Sequence, residues 1–132
     1  MYFIDTNICV FFLNGARPGV KERILSTPPN EIAVPSPVKA ELLFGAYKSS
    51  KRNENIIKVE KFLEPFEIYP FDGPVSYTYA DIRYKTEVKG TPVGPNDLWI
   101  AAIVMYHGGT LVSNNVREFR RIDNLNLEDW TV

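Results

Sequence analysis

Residues 1–7, Met1-Tyr2-Phe3-Ile4-Asp5-Thr6-Asn7, decide the fold, because a short apolar run ends there in an acid and two small polar residues. Two aromatic residues and a β-branched residue in so short a run indicate a buried strand with Asp5 at its end. In an open parallel sheet, ligands bind beyond the carboxyl ends of the strands, so we expect Asp5 at the mouth of that crevice. The alternative is that Asp5 only caps a turn or the next helix.

Strand and helix patterns alternate through the rest of the chain. After Asn7 an apolar segment predicts a buried helix that ends near Asn14-Gly15. Residues 32–34 predict a second strand, followed by a helix over 36–47 with Ser36 as its N-cap. Further predicted elements are a helix around 56–63, an edge strand at 67–71, a long helix from Pro74 towards Lys89 capped by Asp72, a buried helix at 98–106 capped by Asn96, a strand at 110–113, a helical turn at 116–119, a strand at 125–127 and a tail at 128–130. This alternation predicts an α/β fold, a three-layer α/β/α sandwich around a mainly parallel central sheet.

Length and composition predict one domain spanning residues 1–132. A chain of 132 residues with 45% hydrophobic content can bury one core of its own. The net charge of −1 excludes a global basic field for nucleic-acid binding, so local basic residues or cations must supply positive charge. No leader pattern or membrane-length apolar run is visible, and we expect a cytoplasmic protein without membrane association.

The single cysteine, Cys9, and the single histidine, His107, exclude disulfide frameworks and Cys/His zinc sites. His107 is better explained as the last residue of a helix than as a catalyst. Any bound metal must therefore be held by oxygen ligands, which points to Mg²⁺ or Mn²⁺.

Polar side chains of four segments are predicted to meet at the carboxyl edge of the sheet. Asp5 and Asn115 follow strands, while Glu41 and Asp97 lie near the starts of helices that follow connecting loops. Glu41 has no polar helical neighbour three or four residues away, although it could lie at the edge of the apolar stripe and reach water. For Asp97 the alternative is a purely structural role, because the helix dipole favours an acid in the first turn. Clustered carboxylates persist mainly where cations neutralise them, so the pattern favours Mg²⁺ or Mn²⁺ and phosphoryl transfer.

Four segments in this order also carry a resemblance to a known family: Tyr2-Phe3-Ile4-Asp5-Thr6-Asn7, Val38-Lys39-Ala40-Glu41-Leu42-Leu43-Phe44-Gly45-Ala46, Gly94-Pro95-Asn96-Asp97-Leu98-Trp99-Ile100-Ala101-Ala102 and Val112-Ser113-Asn114-Asn115-Val116-Arg117-Glu118-Phe119. Over essentially its whole length the sequence resembles the PIN-domain ribonucleases of the VapC toxin type. The resemblance implies a metal-dependent endoribonuclease in which Asp5, Glu41 and Asp97 hold Mg²⁺ or Mn²⁺. It further implies hydrolysis of a structured RNA such as tRNA or rRNA by water, a homodimer, and a small DNA-binding antitoxin that covers the active site.

One position departs from the family pattern. Asn115 stands where an acid is common, so either Asn115 or the nearby Glu118 is expected to complete the site. Three residues are expected to orient the acids rather than bind metal: Thr6, Asn7 and Ser113. For substrate contact we favour Arg117 and Arg120, which flank Glu118. Because Asn115 is neutral, the sequence also allows a catalytically weak or inactive PIN-like module that binds RNA or a partner. A phosphatase of another α/β fold is disfavoured, because no phosphate-cradling glycine loop is present.

Overall fold

The computed structural model describes all 132 residues. The elements in chain order are β1 (Tyr2–Ile4), α1 (Thr6–Asn14), α2 (Pro18–Ser26), a 3-10 turn (Pro29–Glu31), β2 (Ile32–Pro35), α3 (Ser36–Tyr47), α4 (Arg52–Leu63), β3 (Glu67–Tyr69), α5 (Gly73–Val88), α6 (Pro95–Tyr106), β4 (Thr110–Val112), α7 (Val116–Phe119) and β5 (Asn126–Glu128).

A five-stranded sheet with the order β3-β2-β1-β4-β5 forms the centre of the molecule. Every pair of neighbouring strands is parallel, so the sheet is all-parallel rather than mainly parallel. The predicted α/β class with a three-layer architecture is confirmed. β1 lies in the middle, where Phe3 and Ile4 are fully buried. The chain's first strand is thus covered on both faces, as its unbroken apolar pattern predicts.

Several helix ends are where their sequence signals predict. Gly15 ends α1 in the left-handed conformation, with a φ of 69° that glycine adopts without strain. Asp72 caps α5, since its Oδ1 accepts a hydrogen bond from the Val75 N–H at 3.3 Å. The edge position of β3 is confirmed as well.

Other helix starts differ from the prediction. α6 begins at Pro95 after Gly94, so Asn96 is the second residue of the helix and not its N-cap. Pro95 explains the shift, because its fixed φ favours the first helical turn. α3 likewise begins at Ser36, whose Oγ accepts a hydrogen bond from the Phe71 N–H at 3.3 Å instead of capping the helix. α4 starts at Arg52, one turn before its apolar stripe, since an exposed polar turn carries no hydrophobic signal.

The C-terminal residues are part of the fold rather than the predicted tail. Glu128 belongs to β5, and the buried Trp130 packs edge-on against Tyr2 with ring centroids 5.2 Å apart. A tryptophan that buries this much apolar area stabilises the strand it covers. None of the helices is both long and apolar enough to span a membrane.

Candidate active site

Asp5 lies between β1 and α1 and has two roles. Its N–H donates to the Val112 carbonyl of β4 at 3.1 Å, which continues the sheet ladder past the end of β1. Its Oδ1 accepts a hydrogen bond from the Ile8 N–H at 3.1 Å, so Asp5 does cap α1. The residue is only 6% exposed, and burial raises its pKa to about 6, although hydrogen bonds from Ser113 and Ile8 oppose the rise. The nearby Glu41 raises this pKa further.

Glu41 projects from α3 towards the same edge of the sheet. It is partly buried, and burial raises the pKa of its carboxyl. The Asn96 side-chain amide, from the first turn of α6, donates a hydrogen bond to Glu41 Oε1. The Thr6 hydroxyl also faces Glu41 and lowers that pKa, yet Thr6 Oγ1 is buried without a hydrogen bond of ordinary geometry. Glu41 is thus partly exposed to water, and its hydrogen-bond donor comes from outside its own helix.

Asp97 sits in the first turn of α6, within electrostatic reach of three other acids. Burial is the largest cause that raises its pKa, which reaches about 7. The hydrogen bond and charge of Glu118 come next, followed by the charges of Asp5 and Glu41. Four carboxylates from four segments therefore face one another at the carboxyl ends of β1 and β4.

Asn115 and Glu118 both lie beside Asp97. The structure therefore does not favour one of them over the other as the residue that completes the site. The Asn115 amide donates to Asp97 Oδ2 at 3.4 Å and to Glu118 Oε2 at 3.1 Å. The Gly94 N–H donates to Glu118 Oε1 at 2.8 Å and is the main reason that the pKa of Glu118 is lowered. At neutral pH Glu118 is the ionised member next to an Asp97 that retains its proton more readily.

The three residues expected to orient the acids differ in their contacts. Ser113 is fully buried, faces Asp5, and accepts a hydrogen bond from the Asn115 N–H at 2.9 Å. Thr6 faces Glu41, as described above. The Asn7 side chain instead donates to Asn114 Oδ1 at 3.4 Å near the surface, and only its backbone N–H reaches Asp5.

Among the basic residues nearby, Arg121 rather than Arg117 or Arg120 acts on the acids. Its charge lowers the pKa of Glu118, and its guanidinium donates to the Pro92 carbonyl at 2.9 Å. Arg117 and Arg120 are exposed and make no ion pair. The spacing of three residues between Glu118 and Arg121 is the sequence signal that could have identified this contact.

Two further participants were not predicted from the sequence. Asn96 was interpreted as a helix cap, and its contact with Glu41 has no local sequence signal. The Gly94 N–H is a backbone donor that no residue type reveals.

The donor set suits a hard divalent cation. Apart from the Arg121 guanidinium near Glu118, the side chains that face the cluster present carboxylate, hydroxyl or amide groups, and neither Cys9 nor His107 is among them. Mg²⁺ and Mn²⁺ prefer oxygen ligands of this kind. The side chains do not enclose a ready-made cage of three or more metal ligands. Burial is the main reason that the pKa of Asp97 is raised, and the charges of Glu118, Asp5 and Glu41 add to it. A cation would relieve the part that is due to these charges.

A groove of about 440 Å³ opens beside this cluster. Residues of α1, α3 and α4 line it, among them Thr6, Val10, Leu13, Glu41, Lys58 and Val59. The groove is largely apolar and includes the acid Glu41, which suits a ligand that carries apolar groups and a cationic group.

Known proteins resemble this chain in both sequence and fold. The sequence matches the PIN domain family over residues 2–125. It is 40% identical to ribonuclease VapC2 of Rickettsia felis over 131 residues, 98% of each chain, and 35% identical to the tRNA(fMet)-specific endonuclease VapC of Salmonella typhimurium over 98% of this chain and 97% of the relative. Among solved structures, VapBC2 from Rickettsia felis bound to a DNA fragment from their promoter superposes with a TM-score of 0.90, at 40% identity and with 98% of each chain covered. DNA-bound VapBC from Salmonella typhimurium superposes with a TM-score of 0.91 at 34% identity, over 98% of this chain and 97% of the other.

Proposed function

The chain belongs to the PIN domain family, among relatives named VapC ribonucleases, and from that premise we propose that it is a metal-dependent endoribonuclease. The observation that carries the proposal is the convergence of Asp5, Glu41 and Glu118 on Asp97. Asp5 is buried and the other three acids are partly buried, and Arg121 is the only basic residue that acts on them. Such a group of acids is costly unless a cation binds. We propose that Asp5, Glu41 and Asp97 hold Mg²⁺ or Mn²⁺, with Glu118 and Asn115 completing the site.

The surrounding residues act by fixing these acids. The Ile8 N–H and Ser113 hold Asp5, and the Gly94 N–H and the Asn115 amide hold Glu118. The ionised carboxylates then point into one region before substrate arrives, which lowers the cost of reorganisation. A divalent cation bound there supplies positive charge to the phosphate oxygens and the Lewis acidity that hydrolysis by water needs. No side chain is required as a nucleophile.

We propose a structured RNA, with tRNA as the first probe, as the substrate. The relative from Salmonella typhimurium is named a tRNA(fMet)-specific endonuclease, and it aligns with 98% of this chain. A net charge of −1 provides no long-range attraction for RNA, so nearby arginines and the cation must contact the phosphates. Arg117, Arg120 and Arg121 surround Glu118 and are the proposed contacts.

We also propose that the protein is the toxin of a toxin–antitoxin pair and forms a homodimer. Structural neighbours at TM-scores of 0.90 and 0.91 are the VapBC assemblies bound to DNA. The groove lined by Thr6 and Glu41 supports this proposal. An antitoxin segment bound there would place apolar side chains along α1 and a cationic side chain next to Glu41.

The test is cleavage of initiator tRNA by the purified chain in Mn²⁺ or Mg²⁺, with Asp97→Asn as the inactive variant. Asp81→Asn is the matched control, since Asp81 is an exposed acid on α5 paired with Lys85. We expect cleavage by wild type and Asp81→Asn, abolished by EDTA and reduced at least about 100-fold by Asp97→Asn. Cleavage that survives both EDTA and Asp97→Asn would refute the metal-site assignment. Tight RNA binding without any cleavage would instead favour the inactive binding module.

A further inference from the structure

We propose that Asn96 is a positioning residue that holds Glu41 in place for cation binding, an inference that rests on the metal-dependent site proposed above. Asn96 is the second residue of α6 and the direct neighbour of Asp97. Its amide reaches across to α3 and donates to Glu41 Oε1, over a separation of 55 residues in sequence. One turn of α6 thus carries both an acid of the site and the donor that fixes an acid from another helix.

The direction of this hydrogen bond follows from chemistry. An ionised carboxylate only accepts hydrogen bonds, so the NH₂ group of Asn96 must face Glu41 and its carbonyl must face away. With Oε1 occupied by this donor, the second oxygen of Glu41 remains available to a cation. A divalent cation therefore meets a carboxylate whose orientation is already set.

Glu41 has only one other side chain, that of Thr6, near enough to hold it. Its neighbours at helical spacing on α3 are Pro37, Val38, Phe44 and Gly45, none of which can donate a hydrogen bond from its side chain. The Thr6 hydroxyl is nearby but makes no hydrogen bond of ordinary geometry. A glutamate has three side-chain torsions, and the loss of the Asn96 hydrogen bond allows many other rotamers. Cation binding must then offset the conformational entropy that Glu41 loses when it becomes ordered, and the affinity for the cation falls.

A purely structural role has a different signature. A hydrogen bond between Asn96 and Glu41 that served only to join α3 to α6 would act on the stability of the fold. Its loss would lower the thermal midpoint of the metal-free protein and leave the affinity for metal unchanged. A positioning role reverses this pattern, because the metal-free fold hardly changes while the affinity for metal falls.

The experiment measures Mn²⁺ affinity of the full chain by calorimetry, with tRNA cleavage as a second readout. The variants are Asn96→Ala and the matched control Asn53→Ala. Asn53 is an exposed residue without a side-chain hydrogen bond and is likewise the second residue of its helix, α4. We expect Asn96→Ala to weaken Mn²⁺ binding about 10- to 100-fold and Asn53→Ala to leave it unchanged. Saturating Mn²⁺ is expected to restore most of the cleavage by Asn96→Ala.

A double-mutant cycle with Glu41→Gln tests whether Asn96 acts through Glu41. In the Glu41→Gln background, we expect Asn96→Ala to cause no further loss of Mn²⁺ affinity; additive losses would overturn the proposal. Asn96→Gln retains the amide and is expected to bind Mn²⁺ more tightly than Asn96→Ala. Equal affinities of these two variants would also count against the positioning role.

The outcomes separate this inference from the function on which it rests. A wild-type chain that neither binds Mn²⁺ nor cleaves tRNA would refute the proposed function. A wild-type chain that does both, with an Asn96→Ala variant of equal Mn²⁺ affinity, would refute only the role of Asn96.

Discussion

At the scale of single residues, Asp5 combines a structural and a chemical role in one carboxylate. One oxygen caps α1 through the Ile8 N–H, and the group as a whole lies buried beside Glu41 and Asp97. A cap alone would serve equally well at the surface, where an ionised aspartate is not penalised by desolvation. The burial of Asp5 therefore costs stability in the metal-free chain, and this cost is measurable.

We predict that Asp5→Asn stabilises the metal-free protein at neutral pH. Burial raises the pKa of Asp5 from 3.8 to about 6, so between these values the folded state binds more protons than the unfolded state. Stability therefore falls as pH rises from about 4 to about 6, and the loss persists at higher pH. Asparagine keeps the cap and has no charge, so the gain at pH 7.5 is about 1–3 kcal/mol.

Urea unfolding in EDTA at pH 4.5 and pH 7.5 measures this effect, with Asp81→Asn as the surface control. Asp81 pairs with Lys85 at 3.0 Å on the exposed face of α5, and such surface pairs contribute at most about 1 kcal/mol to stability. An Asp5→Asn protein that is less stable than wild type at pH 7.5 would show that the buried charge is not penalised.

We predict that Glu118→Gln lowers the pKa of Asp97. After burial, the hydrogen bond and charge of Glu118 are the largest causes that raise this pKa to about 7. Removing that charge makes ionisation of Asp97 easier and moves its pKa towards the ordinary range. Carboxyl NMR titration in EDTA measures the pKa of Asp97. Glu60→Gln, on the exposed face of α4, is the control and is expected to leave this pKa unchanged. An unchanged or higher Asp97 pKa in Glu118→Gln would show that the charge of Glu118 does not raise the pKa of Asp97.

The sequence identifies the acids but not the contacts between them. Asp5, Glu41 and Asp97 follow strands or begin helices, and the rules for parallel sheets place such positions at one edge. The contact of Asn96 with Glu41 joins residues 55 positions apart. No periodicity encodes such a pair, which exists only once α3 and α6 have packed. For this reason Asn96 could be interpreted from the sequence only as a cap.

At the scale of elements, helix types were predictable and helix starts less so. Apolar stripes indicate α1, α5 and α6 clearly, whereas the polar first turn of α4 has no apolar signal. Strands of three residues, such as β4, are too short for their neighbours in the sheet to be deduced. What determines the placement of β4 is contact with β1, including the close approach of Gly109 to Phe3.

We predict that Gly109→Ala destabilises the protein by about 1–3 kcal/mol through overpacking. A Cβ at Gly109 would lie 2.4 Å from the ring of Phe3, which is itself fully buried and cannot move freely. Gly19→Ala in α2 is the matched control, because a Cβ there meets nothing within 4 Å. Alanine in that helix is expected to stabilise by about 0.5–1 kcal/mol. Chemical denaturation measures the stability of both variants. A Gly109→Ala protein as stable as wild type would contradict the tight contact of β4 with β1.

At the scale of the whole molecule, the order β3-β2-β1-β4-β5 makes the site possible. The first strand lies between β2 and β4, so Asp5 meets residues that follow strands from both halves of the chain. The sequence predicts the α/β class, because strands and helices alternate, but it does not predict this strand order. Strand order depends on which apolar surfaces pack together, and three-residue strands are nearly interchangeable in sequence.

The central claim is that the four acids form one cation site. Anomalous diffraction at the manganese edge from crystals soaked in Mn²⁺ tests it most directly. We expect a peak coordinated by carboxylate oxygens of Asp5 and Asp97, at about 2.1 Å for a hard divalent cation, and its loss in Asp97→Asn crystals. A wild-type crystal saturated with Mn²⁺ that has no peak between Asp5 and Asp97, or a peak that persists unchanged in Asp97→Asn, would contradict the account.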